Sequence, residues 1–137
     1  MSTLNSKNIT VLIARILLGL IFFVFGLNFF LHFIPNGPAP TGTAGAFVGG
    51  LFQSGYLFPL IKVIETLCGF FLLFGRFIPL VLVVLLPISI NIFLFHCFLE
   101  PGAMQISIVV LILICQFYLA WVYRDYYKQL FIAKAQY

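Results

Sequence analysis

Long apolar stretches separated by short polar breaks run along most of this 137-residue chain. Each stretch is close to the roughly 20 residues that an α-helix needs to cross about 30 Å of hydrocarbon. The breaks are rich in proline and glycine, which end helices. The pattern therefore predicts four transmembrane helices, at residues 9–34, 57–74, 77–99 and 103–123.

Two of the breaks are tight turns. Gly75-Arg76 joins the second and third predicted helices, and Glu100-Pro101-Gly102 joins the third and fourth. Connections this short make consecutive helices antiparallel neighbours. We therefore expect an all-α fold, an integral membrane four-helix bundle, with residues 1–137 forming a single transmembrane domain.

The break at residues 35–56 is longer and begins with three prolines in six residues. Within it Phe47, Val48, Leu51 and Phe52 recur at helical spacing, which favours a short interfacial helix despite the surrounding glycines. The first apolar stretch does not end in a small-residue cleavage site, so we interpret it as a retained span and not as a cleaved signal peptide.

Composition and charge support a membrane location. Hydrophobic residues make up 64% of the chain and charged residues only 7%, too few charges for the surface of a soluble domain. The basic residues fall at one end of the predicted spans, and none form a patch with exposed aromatic residues, so binding to nucleic acid is not indicated. The positive-inside rule then predicts cytoplasmic termini, including the tail 124–137, and an outer loop 35–56. These basic residues are Lys7, Arg15, Arg76, Arg124, Lys128 and Lys134.

Small residues and one proline predict how the helices pack. Gly19 and Gly26 lie on one face of the first span, and Gly69 lies one turn after Glu65 in the second, so a neighbouring helix can approach closely at these positions. Pro87 interrupts the third span and leaves the carbonyl of residue 83 without its helical donor. We expect a bend there, with polar contacts to a neighbouring helix or to water.

Polar residues inside the bilayer are costly and so indicate function. By depth, most of them fall in the outer half of the predicted bundle or at its outer interface, while Glu65 lies near the middle. We predict that they line a pocket for a quinone head group or another small amphiphile; the alternative for each histidine is a simple interfacial hydrogen bond. The predicted ligand-binding residues are Glu65, Asn91, His96, Asn28, His32 and Lys62.

Glu65 has two potential cationic partners. We expect Arg15 to form a structural ion pair with Glu65 across the first two spans, and Lys62 to extend toward the interface, with a Lys62–Glu65 pair as the alternative for Lys62. Whether Glu65 only neutralises a cation or contacts a ligand or proton stays open. The spacing of His, Cys and acidic residues does not predict a metal site, and no known catalytic motif occurs.

Segments along the chain resemble the DoxX family of small bacterial four-span membrane proteins, over about residues 14–125. One departure is Asn28, which stands where the family often has a lysine, and another is Cys68, where a glycine is common. The segments that carry the resemblance are residues 14–20, 25–28, 65–69, 73–76 and 87–96.

The resemblance implies a multi-pass protein of the bacterial cytoplasmic (inner) membrane. Some relatives are membrane subunits of quinone-linked sulfur oxidoreductases, and many have no assigned activity. It therefore implies a subunit of a membrane redox system that binds a quinone or a similar amphiphile, with no catalytic motif of its own. The alternatives are a small transporter, which would favour a homo-oligomer, and a scaffold for an exported protein partner at the outer loop.

Overall fold

The computed structural model describes residues 6–134 and 136, and within them it contains helices and no β-strand. The all-α prediction is confirmed. Four of the helices, α1, α3, α4 and α5, are long and apolar enough to cross a membrane. The helices are α1 (Ser6–Leu31), α2 (Gly42–Gln53), α3 (Leu57–Phe74), α4 (Ile78–Phe98), α5 (Ala103–Val122) and a 3₁₀ tail helix (Arg124–Phe131).

The four long helices form a bundle in which α1 and α4 each pack against both α3 and α5. Its centre contains one fully buried leucine from each helix, and we call Leu18, Leu72, Leu85 and Leu119 the leucine layer. Many other apolar side chains face outward; Phe98, for example, is 77% exposed. Such a surface suits hydrocarbon as its solvent, as the sequence predicted.

Glycines bring α1 and α3 into the closest contact of the bundle. A Cβ atom on Gly69 would overlap the backbone of Phe23, and a Cβ atom on Gly19 would lie 3.1 Å from the carbonyl oxygen of Gly69. At Gly26 an added Cβ would lie 2.9 Å from the backbone nitrogen of Thr66. The predicted close approach at these glycines is confirmed, and it fixes the antiparallel register of the two helices.

Helix α1 ends at Leu31, three residues earlier than the sequence predicted. Asn28 causes the early end, since its side-chain oxygen accepts a hydrogen bond of 2.7 Å from the backbone N–H of Ile34. His32 takes the left-handed conformation with φ 53°, and its N–H donates to the carbonyl of Asn28. This cap stops the helix before the prolines are reached.

The turn between α3 and α4 also has a well-defined cap. Gly75 is left-handed with φ 68°, and Arg76 donates its N–H to the carbonyl of Phe71 at 2.9 Å, the bond of a Schellman motif that spans six residues. We call this end of the bundle, where α1 begins and α5 ends, the arginine end, after Arg15, Arg76 and Arg124. The opposite end, which α2 covers, is called the α2 end.

Polar contacts link α4 to its neighbours. The side-chain amide of Gln116 on α5 donates to the carbonyl of Leu82 at 3.0 Å, one residue before the carbonyl that Pro87 leaves without a helical donor. At the arginine end the hydroxyl of Tyr127 donates to the carbonyl of Pro79 at 2.9 Å. This bond holds the tail helix against the start of α4, and burial raises the pKa of Tyr127 above its usual value.

Candidate ligand-binding cavity

A cavity of about 620 Å³ lies between the four long helices and α2. Its volume is in the range of pockets that enclose small organic molecules, roughly 300 to 1,000 Å³. Most of the wall is apolar, with Phe22, Ile61 and Ile112 among its residues. The polar side chains of the wall are Lys62, Glu65, Asn91, His96 and Gln105.

The two ends of the cavity differ. On every long helix the fully buried leucine lies on the arginine side of the cavity-lining positions, so the leucine layer forms the floor. On the other side α2 covers the cavity with Phe47, Val48 and Leu51. The ring of Phe47 packs against that of Phe95 on α4, with the centroids 5.7 Å apart. The cavity is therefore closed toward the arginine end, while Asn91 and Gln105 on its wall are exposed.

Lys62 and Glu65 form an ion pair of 2.9 Å on one face of α3. The side chain of Lys62 is 19% exposed and that of Glu65 only 4%, so the carboxylate is the more deeply buried partner. Lys62 also lies 5.4 Å from the ring centroid of Phe58. Lys62 does not extend to the interface as expected: since Glu65 is within reach three residues on, the ammonium group pairs with it instead.

The structure does not bring Arg15 to Glu65. Because Gly19 packs beside Gly69 in antiparallel register, Arg15 lies level with the end of α3, and its guanidinium group lies against Gly75. Glu65 lies ten residues before Gly75, which is about 15 Å of helix at 1.5 Å per residue. Arg15 lies instead at the C-terminal end of α3, where the helix dipole favours a cation. In place of the expected Arg15–Glu65 pair, the bundle contains the Lys62–Glu65 pair.

Asn91 and His96 place polar groups on the α4 side of the cavity. Asn91 lies one turn after Pro87, which also lines the cavity. His96 is half-buried and its Nδ1 lies 3.4 Å from the carbonyl oxygen of Glu100. Together with the ion pair on α3, these side chains offer both donors and acceptors to the polar part of a molecule in the cavity.

Two predicted site residues lie elsewhere, and one lining residue was not selected from the sequence. Asn28 caps α1, and His32 is exposed at the end of that helix; neither lines the cavity. Gln105 does line it, on the same face of α5 as Val109 and Ile112. Its spacing of four and seven residues from these two buried positions was the signal that could have identified it.

The acidic, histidine and cysteine side chains are dispersed. Among the described residues, no three of them lie close enough together to hold a metal ion. Cys68 and Cys115 are buried free thiols in the bundle, and Cys97 is partly buried. The chemistry that this site offers is hydrogen bonding and charge pairing next to an apolar wall.

The family model for DoxX matches residues 10–97, more than half of the chain. The chain belongs to the DoxX family. The matched region includes most of α1, all of α2 and α3, and nearly all of α4. Four of the five polar residues of the cavity wall in this DoxX protein lie within it. Gln105 on α5 lies beyond it. No curated protein and no solved structure matches the chain.

Proposed function

We propose that this DoxX-family membrane protein binds a small amphipathic molecule, such as a quinone or the quinol formed by its reduction, in the cavity between its helices. The observation that carries the proposal is the composition of the cavity wall: mostly apolar side chains, with a few polar ones. An apolar tail can pack against the former, while the polar head meets Lys62, Glu65, Asn91 and His96. The leucine layer below the cavity fits a binding pocket better than a continuous pore.

The ion pair supports this role. Charged groups inside a membrane bundle are costly, and two well-packed apolar residues could replace such a pair at little cost to stability. A pair that borders a cavity can instead orient a polar head group. We propose that Lys62 and Glu65 act as a fixed donor and acceptor for the ligand, with the protein serving as a non-catalytic subunit of a membrane redox system. The redox part rests on the DoxX relatives in quinone-linked oxidoreductases.

We also propose an orientation in the bacterial cytoplasmic membrane. Arg15, Arg76 and Arg124 lie at one end of the bundle, which the positive-inside rule assigns to the cytoplasm. Both termini are then cytoplasmic, and the α2 end faces outward. In this orientation the ligand occupies the outer half of the membrane, below α2.

The test is mass spectrometry of lipid-soluble molecules that the gently purified protein retains. We expect the wild type to retain one amphiphile in stoichiometric amount, and Glu65→Gln and His96→Ala to lose most of it. His32→Ala is the matched control, because His32 lies outside the cavity and that variant should retain the ligand. Retention of bulk lipid alone by all four proteins would overturn the proposal.

A small transporter is the second candidate. It is favoured by Pro87 and Asn91, since a helix that bends at a proline beside a cavity can change the access to that cavity. Transport would require the leucine layer to open. Flux of the retained amphiphile across the membrane of vesicles that contain the protein would support this candidate. Binding of the amphiphile without flux would reject transport and support the binding role alone.

A further inference from the structure

We infer that His96 selects the head group of the ligand: the cavity takes an amphiphile whose head carries a hydroxyl group that donates its hydrogen to Nε2 of His96. The inference rests on the proposed function, because it specifies the chemistry of the molecule bound in the same cavity. It follows from the arrangement of the imidazole ring and not from the identity of any relative.

The hydrogen bond of His96 determines which ring nitrogen carries the proton. Nδ1 lies 3.4 Å from the carbonyl oxygen of Glu100. A carbonyl oxygen only accepts hydrogen bonds, so Nδ1 must be the donor and carry the hydrogen. A neutral imidazole has one N–H group, and its other nitrogen is an acceptor. In the neutral form of His96, Nε2 therefore presents a lone pair.

The proposed hydrogen bond requires this lone pair to face the cavity. His96 belongs to the cavity wall, and within the described part of the chain its Nε2 has no hydrogen-bond partner. The ring is held by Nδ1 on one side and by an edge-to-face contact with Phe95, with centroids 5.2 Å apart. A ring with its orientation fixed in this way offers one acceptor at a defined place in the wall.

The other polar groups of the wall discriminate less between head groups. Asn91 and Gln105 carry side-chain amides, which donate as well as accept and so fit a carbonyl or a hydroxyl equally. Lys62 donates and Glu65 accepts, and they already satisfy each other in part. A ligand that has only acceptor oxygens would leave Nε2 without a hydrogen-bond donor. A binding site discriminates against a ligand that leaves one of its buried polar groups unpaired. His96 is therefore the acceptor of the wall that has no partner of its own, whereas the acceptor Glu65 is already paired with Lys62.

The test compares two probes that differ only at the hydroxyl group, 4-octylphenol and 4-octylanisole, binding to the full-length protein in nanodiscs, with empty nanodiscs subtracted. For the wild type we expect the phenol to bind about tenfold more tightly or better, in line with a hydrogen bond of roughly 1.4 kcal/mol. In His96→Phe, which keeps a planar ring and removes the acceptor, the two probes should bind alike. The matched variant His32→Phe should keep the wild-type preference.

Each result separates this inference from the proposed function. Equal binding of both probes to the wild type would overturn the role of His96 and leave the cavity as an amphiphile site. A preference for the phenol that persists in His96→Phe would assign selection to another residue and overturn the inference. Binding of neither probe would overturn the inference, while the retention of lipid-soluble molecules by the purified protein decides the proposed function separately. The comparison within the wild type requires no variant, and thermal unfolding of His96→Phe shows whether that variant is folded.

Discussion

An ion pair that is buried among apolar helices stabilises the protein only while both partners are present. Lys62 and Glu65 are such a pair, and their exposure is unequal, at 19% and 4%. When one partner is removed, the other is left as an uncompensated charge, and the cost depends on how easily that charge reaches water. Glu65 cannot reach water without rearrangement, whereas Lys62 has a flexible side chain that can extend outward.

We therefore expect Lys62→Met to destabilise the bundle more than Glu65→Gln does. The expected loss for Lys62→Met is about 3 kcal/mol, and the double variant Lys62→Met/Glu65→Gln should recover most of it, because no buried charge remains. Unfolding in detergent of the wild type, both single variants and the double variant measures all four stabilities. Equal stability of Lys62→Met and the double variant would show that the pair does not act as a unit.

At the residue scale the sequence identified most of the polar residues of the cavity but not their contacts. Lys62 and Glu65 are three apart on one helix, so a shared face was predictable. Which cation pairs with Glu65 was not, because it depends on the register of α1 against α3. Asn28 shows a similar limit: a polar residue near a helix end serves a cap or a pocket equally well, and only the backbone path after Leu31 distinguishes the two.

At the scale of elements, the contact between α1 and α3 depends on glycines with no room for a side chain. The backbone of one helix occupies the place where the Cβ atom of a residue on the other would lie. Backbone atoms cannot turn aside as a flexible side chain can, so a larger residue has to separate the helices. Gly49 and Gly50 of α2 are different, since the space around each of them is open.

This difference gives a prediction with an internal control. Gly69→Ala should lower the stability of the bundle by about 1 to 3 kcal/mol, the usual cost of overpacking, because its methyl group meets the backbone of Phe23. Gly49→Ala should be neutral or slightly stabilising, since alanine is the better helix former by up to about 1 kcal/mol and meets no atom there.

Thermal unfolding of both alanine variants beside the wild type makes the comparison. If Gly69→Ala unfolds at the same temperature as Gly49→Ala, the close contact of α1 and α3 does not contribute to stability.

The helices themselves were predictable, because 3.6-residue apolar periodicity, span length and turn residues agree along the chain. The end of α1 was misplaced because a side-chain cap acts before the prolines do.

At the scale of the whole molecule, the two ends of the bundle have different roles. The arginine end is compact: the leucine layer lies above it, the Schellman turn closes α3, and Tyr127 holds the tail helix to Pro79. The α2 end holds the cavity, covered by a glycine-rich helix. A ligand that enters and leaves needs one end that opens, and α2, which packs mainly on α3 and lies between the left-handed glycines Gly42 and Gly55, is the element best suited to move.

The orientation of these two ends relative to the membrane decides from which side the cavity is reached. The basic residues of the arginine end predict that this end is cytoplasmic and that the linker before α2 is outside. In a variant whose three native cysteines are replaced by serine or alanine, a cysteine placed at Gly37 should react with a membrane-impermeant maleimide in intact cells. A cysteine placed at Lys134 should react only after the membrane is permeabilised.

Both positions are exposed in the structure, so a difference in labelling reports the side of the membrane and not burial. Labelling at Lys134 alone in intact cells would show that the protein has the opposite orientation. The cavity would then be reached from the cytoplasm. Replacing Arg76 and Arg124 by glutamine provides a second measurement, because weakening the charge asymmetry should produce a mixed population in which both cysteines are partly labelled. A fixed labelling pattern in that variant would mean that Arg76 and Arg124 are not required to set the direction of insertion.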